Sequence, residues 1–263
     1  MRQRTGHFAR RRKGAYALGQ VIAVVSGKGG TGKTSFTALV GAALASLGKR
    51  TLLLDCDVGL RNLDLALGLS DRALMDFSDV VAGRAELEQA AVAHPRCPGL
   101  FLLTAPLRLD ADEVSDEGMR ALLRTVREQY DFCLIDAAAG LETAFHLATL
   151  DADRAVVVST TDPSSLRDAQ RTVMELHSFP SGSLHLVVNR VRRRLLKSLR
   201  SNIDDAMDAA GLPLLGVIPD DEDVPALLGR GRVDGFGYYS LARRACRNIA
   251  RRLCGERVPL MKI

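Results

Sequence analysis

The ten residues SGKGGTGKTS, at 26–35, constrain this chain more than any other stretch of it. They satisfy the pattern G-x-x-x-x-G-K-[ST] from Gly27 to Thr34, they follow the apolar run VIAVV at 21–25, and they open a helical pattern over 33–48. A glycine-rich loop between a buried strand and a helix N-terminus has a physical use. Gly29, Gly30 and Gly32 permit close backbone approach and unusual φ, so successive N–H groups surround a phosphate. In that arrangement Lys33 neutralises the β- and γ-phosphates and the Thr34 hydroxyl ligates Mg²⁺. With Thr31 and Ser35 these residues make a nucleotide-binding loop, and the ligands it predicts are a nucleotide with β- and γ-phosphates and Mg²⁺.

The rest of the chain repeats the same alternation. Runs rich in Val, Ile and Leu fall at 51–54, 100–103, 132–135, 155–158, 184–188 and 214–218, and helical periodicity falls at 117–130, 142–149, 164–177, 202–210 and 238–254. Strands alternating with helices predict an α/β fold: a doubly wound, mostly parallel sheet with helices on both faces, of the phosphate-loop NTPase kind. Ligands then bind beyond the carboxyl ends of the strands. No repeat or long linker divides the 263 residues, so residues 20–263 are read as a single domain preceded by a flexible basic extension, 1–19.

Charge is unevenly placed. Residues 1–20 carry six bases and no acid, residues 241–263 carry seven bases against Glu256, and the remaining 23 bases and 30 acids leave 21–240 at −7 within a net +5. Basic ends on an acidic body suit contact with anionic lipid or nucleic acid, and equally suit solubility alone. Five cysteines without a C-x-x-C pair or a histidine at ligand spacing suggest reduced thiols rather than zinc or an iron–sulfur cluster. No apolar run reaches the ~18 residues of a spanning helix. Arg10 to Lys13 followed by AYALGQVIAVV imitates a secretory signal, but no A-x-A cleavage pattern precedes the loop, and the apolar half is needed as its strand. The expected location is the cytoplasm, with a peripheral place on the inner face of the membrane left open.

Lys28 departs from a plain phosphate loop. A base at this position of KGGTGKT resembles the deviant Walker A form of the MinD/ParA family, in which the resemblance implies that Lys28 reaches across an ATP-sandwiched homodimer to the partner's phosphates, as an arginine finger does. The second strand region, TLLLDCDVGLRNLDLALGL at 51–69, resembles the cell-division branch of that family more than the DNA-partition branch, which continues D-x-D-P-Q. The resemblance implies that Asp57 positions the attacking water, that Asp55 supports the metal shell, and that Asn62 belongs to a switch segment. FCLIDAAAGLE at 132–142 resembles a Walker B strand, implying a metal role for Asp136 and γ-phosphate sensing by Gly140; Ala137 and Ala138 replace the usual Ser-Pro, so the switch loop is expected to be looser. VVNRV at 187–191 and VIPDD at 217–221 match segments in which relatives hold adenine, implying that role for Asn189 and Pro219. DPSSLRDA at 162–169 resembles a surface near the dimer and partner contacts, or is a plain helix start capped by Asp162.

The function implied is an ATP hydrolase used as a dimerising switch, which positions the division septum by recruiting an inhibitor and answers to a topological regulator protein. The alternatives are a DNA-associated partition ATPase, a flagellar-number ATPase, or a metabolic phosphate-loop enzyme. The last would need a substrate pocket or cysteine ligands that the sequence does not display. The end of the chain, RRLCGERVPLMKI, resembles the close of a final helix and a tail, without the membrane-inserting helix common in the family. Residues 241–254 are expected to pack on the sheet through Leu241, Ala245, Ile249 and Leu253, leaving only weak attraction to an anionic membrane.

Overall fold

A computed structural model describes residues 18–109, 113–140, 143–192, 203–235, 237 and 240–261. The expected basic extension therefore lies outside the described residues except for exposed Leu18 and for Gly19, whose N–H donates to the Arg127 carbonyl at 2.9 Å. Expected helical residues 142, 202, 238 and 239 lie outside them too.

The strands are β1 (Gln20–Val25), β2 (Thr51–Cys56), β3 (Val92–Ala93), β4 (Leu100–Leu103), β5 (Phe132–Ala137), β6 (Arg154–Ser159), β7 (Leu184–Val191) and β8 (Leu214–Pro219). They form one sheet in the order β3-β4-β2-β5-β1-β6-β7-β8, parallel throughout except for the antiparallel β3–β4 pair. The helices are α1 (Lys33–Ser46), α2 (Asn62–Leu67), α3 (Phe77–Val81), α4 (Leu87–Ala90), α5 (Asp116–Gln129), α6 (Thr143–Thr149), α7 (Pro163–Glu175), α8 (Ile203–Ala210), α9 (Asp223–Leu228) and α10 (Leu241–Leu253). All seven predicted strands are present. The two-residue β3 and the short α3, α4 and α9 are additions too brief to leave a periodic signal.

The strands read as unbroken apolar runs because both faces of the sheet are covered. Val21, Ala23 and Val25 point to a core closed by α5, α6, α7 and α8, while Ile22 and Val24 point to a second core under α1, α2 and α10. Helix α1 runs beneath other elements along nearly its whole girth, so KTSFTALVGAALAS is apolar on every side rather than striped. A Cβ on Gly41 would stand 2.5 Å from the Leu53 side chain, so glycine there lets α1 lie close on β2.

Helix α10 corrects one expectation. Its buried face is Ala242, Ala245, Cys246, Ile249, Ala250 and Leu253, whereas Leu241 at its first turn is 45% exposed. The contact with α1 and β8 begins at Ala242, one residue later than the periodicity suggested, and Ser240 caps the helix, accepting the Arg243 N–H at 3.1 Å. Arg252 on the last turn of α10 ties three carbonyls: Leu215 at 2.8 Å, Val258 at 2.9 Å and Pro259 at 2.7 Å.

Candidate nucleotide site

β1 lies between β5 and β6, and the chain leaves it in one direction towards β2 and later in the other towards β7 and β8. The loop after β1 therefore sits at the switch point of the sheet, where loops diverge and leave a crevice. Gly32 caps α1 in the left-handed conformation, φ 89°, and a Cβ there would meet the Asn189 amide at 2.4 Å. Two requirements, backbone shape and space, thus fall on one residue. Cβ atoms on Gly29 and Gly30 would meet nothing within 4 Å, so the outer turn of the loop faces open space. Gly27, by contrast, packs against the Asp168 backbone. The Thr31 hydroxyl is buried without a partner among the described residues, and Ser35 lines the cleft beside the loop.

Lys33 is buried at the start of α1, and its Nζ donates to the Ser26 hydroxyl at 3.0 Å. Burial pushes its pKa below the ordinary lysine value, opposed by the charges of Asp136 and Asp57. Lys28 is half-buried at the rim. Its Nζ donates to the Ser164 hydroxyl at 2.6 Å and stands 3.5 Å from the Asp162 carboxylate. Asp162 is the N-cap of α7 and also accepts the Ser164 N–H at 2.9 Å, with Pro163 at the first helical position. The capping expectation and a contact with Lys28 therefore coincide at Asp162.

Across the loop, Asp55 of β2 and Asp136 of β5 are direct neighbours in the parallel register, and both are buried. Burial pushes the Asp55 carboxyl up to about 8, with the Asp136 charge adding to the effect, and burial pushes Asp136 up to about 6. The Thr34 hydroxyl and the Thr37 hydroxyl, the latter at 3.4 Å, oppose the shift at Asp136 by hydrogen bonding its carboxylate. Asp55 accepts the Asp57 N–H at 2.8 Å and the Leu63 N–H at 3.2 Å, so it also fastens the start of α2 to the sheet. Asp57 is half-buried; burial raises its pKa, while the Lys33 charge and the Asn62 side chain lower it. Gly140, with φ 97°, faces open space after β5.

Asn189 and Pro219 line one cleft with Ser35, Phe36 and Ile218. The Asn189 amide donates to the Thr31 carbonyl at 2.8 Å. Ser35, Asn189 and Pro219 thus share the cleft beside the loop, Asp55 and Asp136 pair across it, and Asp57 meets Lys33 and Asn62. Ser26, Thr37 and Arg190 stand there too and were missed. Ser26 and Thr37 fall one residue before and three after the motif, and Arg190 carries no pattern of its own.

A metal-bound nucleotide fits the chemistry of these residues. Two buried carboxyls and a threonine hydroxyl at the mouth of an open glycine turn form a donor set of oxygens, the set a hard divalent cation prefers. The profile of the CobQ/CobB/MinD/ParA nucleotide binding domain matches residues 22–233. The chain is 37% identical to the septum site-determining protein MinD of Synechocystis over 246 residues, 93% of this chain and 92% of that protein. It is similar in structure to the MinD cell division protein of Aquifex aeolicus, with TM-score 0.84 and 36% identity over 92% of this chain and all of that one. The MinC:MinD complex of the same organism gives TM-score 0.81 and 35% identity over 92% of this chain and 98% of that one. MinD of Pyrococcus horikoshii complexed with Mg-ADP gives 0.76 and 29% over 90% of this chain and 96% of that one. Sequence, sheet order and site together place the chain: it belongs to the CobQ/CobB/MinD/ParA nucleotide-binding family and, within it, to the MinD ATPases.

Proposed function

We propose that this ATPase is a switch in which ATP closes two copies face to face and hydrolysis separates them, and that the closed pair places the division septum by recruiting an inhibitor. One observation carries the proposal. The ammonium of Lys28 sits at the open rim of the loop, held by Ser164 and Asp162 rather than turned inward as Lys33 is. A lysine on the rim can exchange those partners for the phosphates of a second copy, so nucleotide, dimer and α7 surface become one equilibrium. A second protein, MinC, is the partner in the related MinC:MinD cell division protein complex, and the α7 surface that Lys28 would leave is a place for a partner to read the nucleotide state.

The residues divide the work. Gly27, Gly29, Gly30, Thr31 and Gly32 present N–H groups to the β-phosphate, and Lys33 neutralises it. Asn189 and Pro219 hold the adenine, with Ser35 below it. Thr34 and Asp136 would hold Mg²⁺, and Asp55 orders its surroundings. The ion supplies charge neutralisation of the phosphate oxygens. Asp57 orients the attacking water, and Asn62 and Gly140 carry the state of the γ-phosphate outward through the segments they start. Residues 20–263 act as one ATPase domain.

Light scattering with ATP tests the switch. Lys33→Ala should lose nucleotide binding and stay monomeric, whereas Lys28→Ala should bind ATP as the wild type does and fail to dimerise. A Lys28→Ala protein that dimerises normally refutes the trans role. No described helix is long and apolar enough to cross a membrane. The apolar face of α10 is packed on α1 and β8, which leaves its arginines and the single exposed Leu241 for a lipid surface. Binding to anionic vesicles should therefore be weak, increase on dimerisation, and fall off at physiological salt, where the Debye length is ~8 Å. Sedimentation at two ionic strengths measures this.

A further inference from the structure

The end of β7 is irregular. Val188 pairs with Val217 and Val191 pairs with Pro219, so Asn189 and Arg190 together stand opposite Ile218 alone. That extra residue is a β-bulge, and Arg190 within it takes the left-handed conformation, φ 54°, which side chains other than glycine rarely adopt. A bulge re-aims side chains, and these two are aimed at the phosphate loop: Asn189 donates to the Thr31 carbonyl at 2.8 Å and Arg190 Nη1 to the Gly30 carbonyl at 3.0 Å. Two consecutive residues of one strand end thus hold two consecutive carbonyls of the loop. The missing Cβ of Gly32 makes the approach possible, since that atom would stand 2.4 Å from the Asn189 amide and 3.7 Å from Arg190 Nε.

A loop that presents N–H groups to a phosphate must turn the matching carbonyls away, and each carbonyl so turned needs a donor. Arg190 and Asn189 are those donors for Gly30 and Thr31. We propose that Arg190 is a positioning residue of the phosphate loop, fixing the Gly30 peptide so that the β-phosphate cradle is formed before nucleotide arrives, and that the bulge is what aims it there. The strained backbone fits this role, because a residue held in a sparsely populated conformation at a site is retained for what its side chain reaches. The proposal rests on the nucleotide reading of the site. It adds that the β-phosphate cradle depends on Arg190, while the purine end, beside Asn189, is recognised without it.

The test compares ADP, which fills the β-phosphate cradle, with AMP, which does not, in the full chain. Arg190→Gly keeps the left-handed backbone without strain, so its melting temperature without ligand should equal or exceed that of the wild type. Its ADP affinity, by calorimetry, should fall about tenfold, the scale of one charge-assisted hydrogen bond, while AMP, by competition, stays within about twofold. Arg190→Lys should recover part of the loss, because an ammonium reaches the carbonyl without the guanidinium fork. Equal losses for ADP and AMP would mean that Arg190 touches the base or ribose and would overturn the proposal, as would unchanged affinity for both. A wild-type chain that bound neither nucleotide would instead refute the site reading beneath it.

Discussion

On one side of the phosphate loop, β2 and β5 end in carboxylates: Asp55 and Asp136 buried and adjacent, Asp57 half-exposed beyond them. On the other side, β7 and β8 end in an amide, a guanidinium and a proline, tied to the loop by hydrogen bonds. The acidic flank is electrostatically unfavourable as it stands, with two carboxyls pushed up by burial, Asp55 further by the Asp136 charge and Asp136 by the Asp57 charge. The neutral and basic flank is already satisfied, and its tension is stored in backbone shape at Arg190. The first flank is built for something absent from the polypeptide, a cation and a changing charge. The second is built to be the same before and after. Chemistry should therefore depend on the acidic flank and affinity on the other.

Asp57→Ala is the largest break in that contrast. Losing the group proposed to orient the water should lower the ATP turnover number by at least ~10²-fold while KM stays within a few-fold, since Thr34 and Asp136 remain. Phosphate release at saturating ATP measures it, and the ATP-bound dimer should persist longer in light scattering. Asn189→Ala makes the opposite cut: KM for ATP should rise about tenfold with the turnover number at saturation nearly unchanged. If both variants moved the same constant, the division of labour would be wrong.

The smallest effect is on stability, and its sign is opposite to its effect on function. The Asp136 carboxyl is raised from its ordinary 3.8 to about 6, so the folded state prefers it protonated. Its contribution to stability is whole at low pH and is lost as pH rises from the unfolded value through about 6. Asp136→Asn should therefore stabilise the ligand-free protein at pH 8 by about 1 to 3 kcal/mol, an advantage that shrinks as pH falls towards 4. Melting curves across that range, with and without Mg-ATP, check it; the variant should gain less than the wild type from Mg-ATP.

Much of this was legible in the chain. Seven apolar runs gave seven strands, because burial on both faces of a parallel sheet leaves no polar alternation to confuse the reading. Lys28, Lys33 and Thr34 were legible because a phosphate loop permits few residue types at each place. What escaped depends on register and approach. VVNRV reads as an ordinary strand, and nothing in it announces that Asn189 and Arg190 share one partner. That Asp55 fastens Asp57 and Leu63 required knowing where α2 starts. Leu241 looked like part of the apolar face of α10 because a periodic pattern does not say where a helix first touches its neighbour. The partners of Lys28 lie more than 130 residues further along the chain, joined only by the β6–α7 turn.

A parallel sheet has unpaired backbone at both of its borders. One border strand, β3, is two residues long and antiparallel to its neighbour. At the other, Arg252 binds the Leu215 carbonyl of β8 and, with the same guanidinium, the Val258 and Pro259 carbonyls beyond α10. A short border strand and a strapped one both discourage strand-to-strand stacking between molecules, the commonest route to aggregates in sheet proteins. For a protein proposed to gather in pairs on cue, that restraint has a purpose: when many copies crowd together, a short border and a strapped one make edge pairing a poor rival to the face proposed to carry the nucleotide.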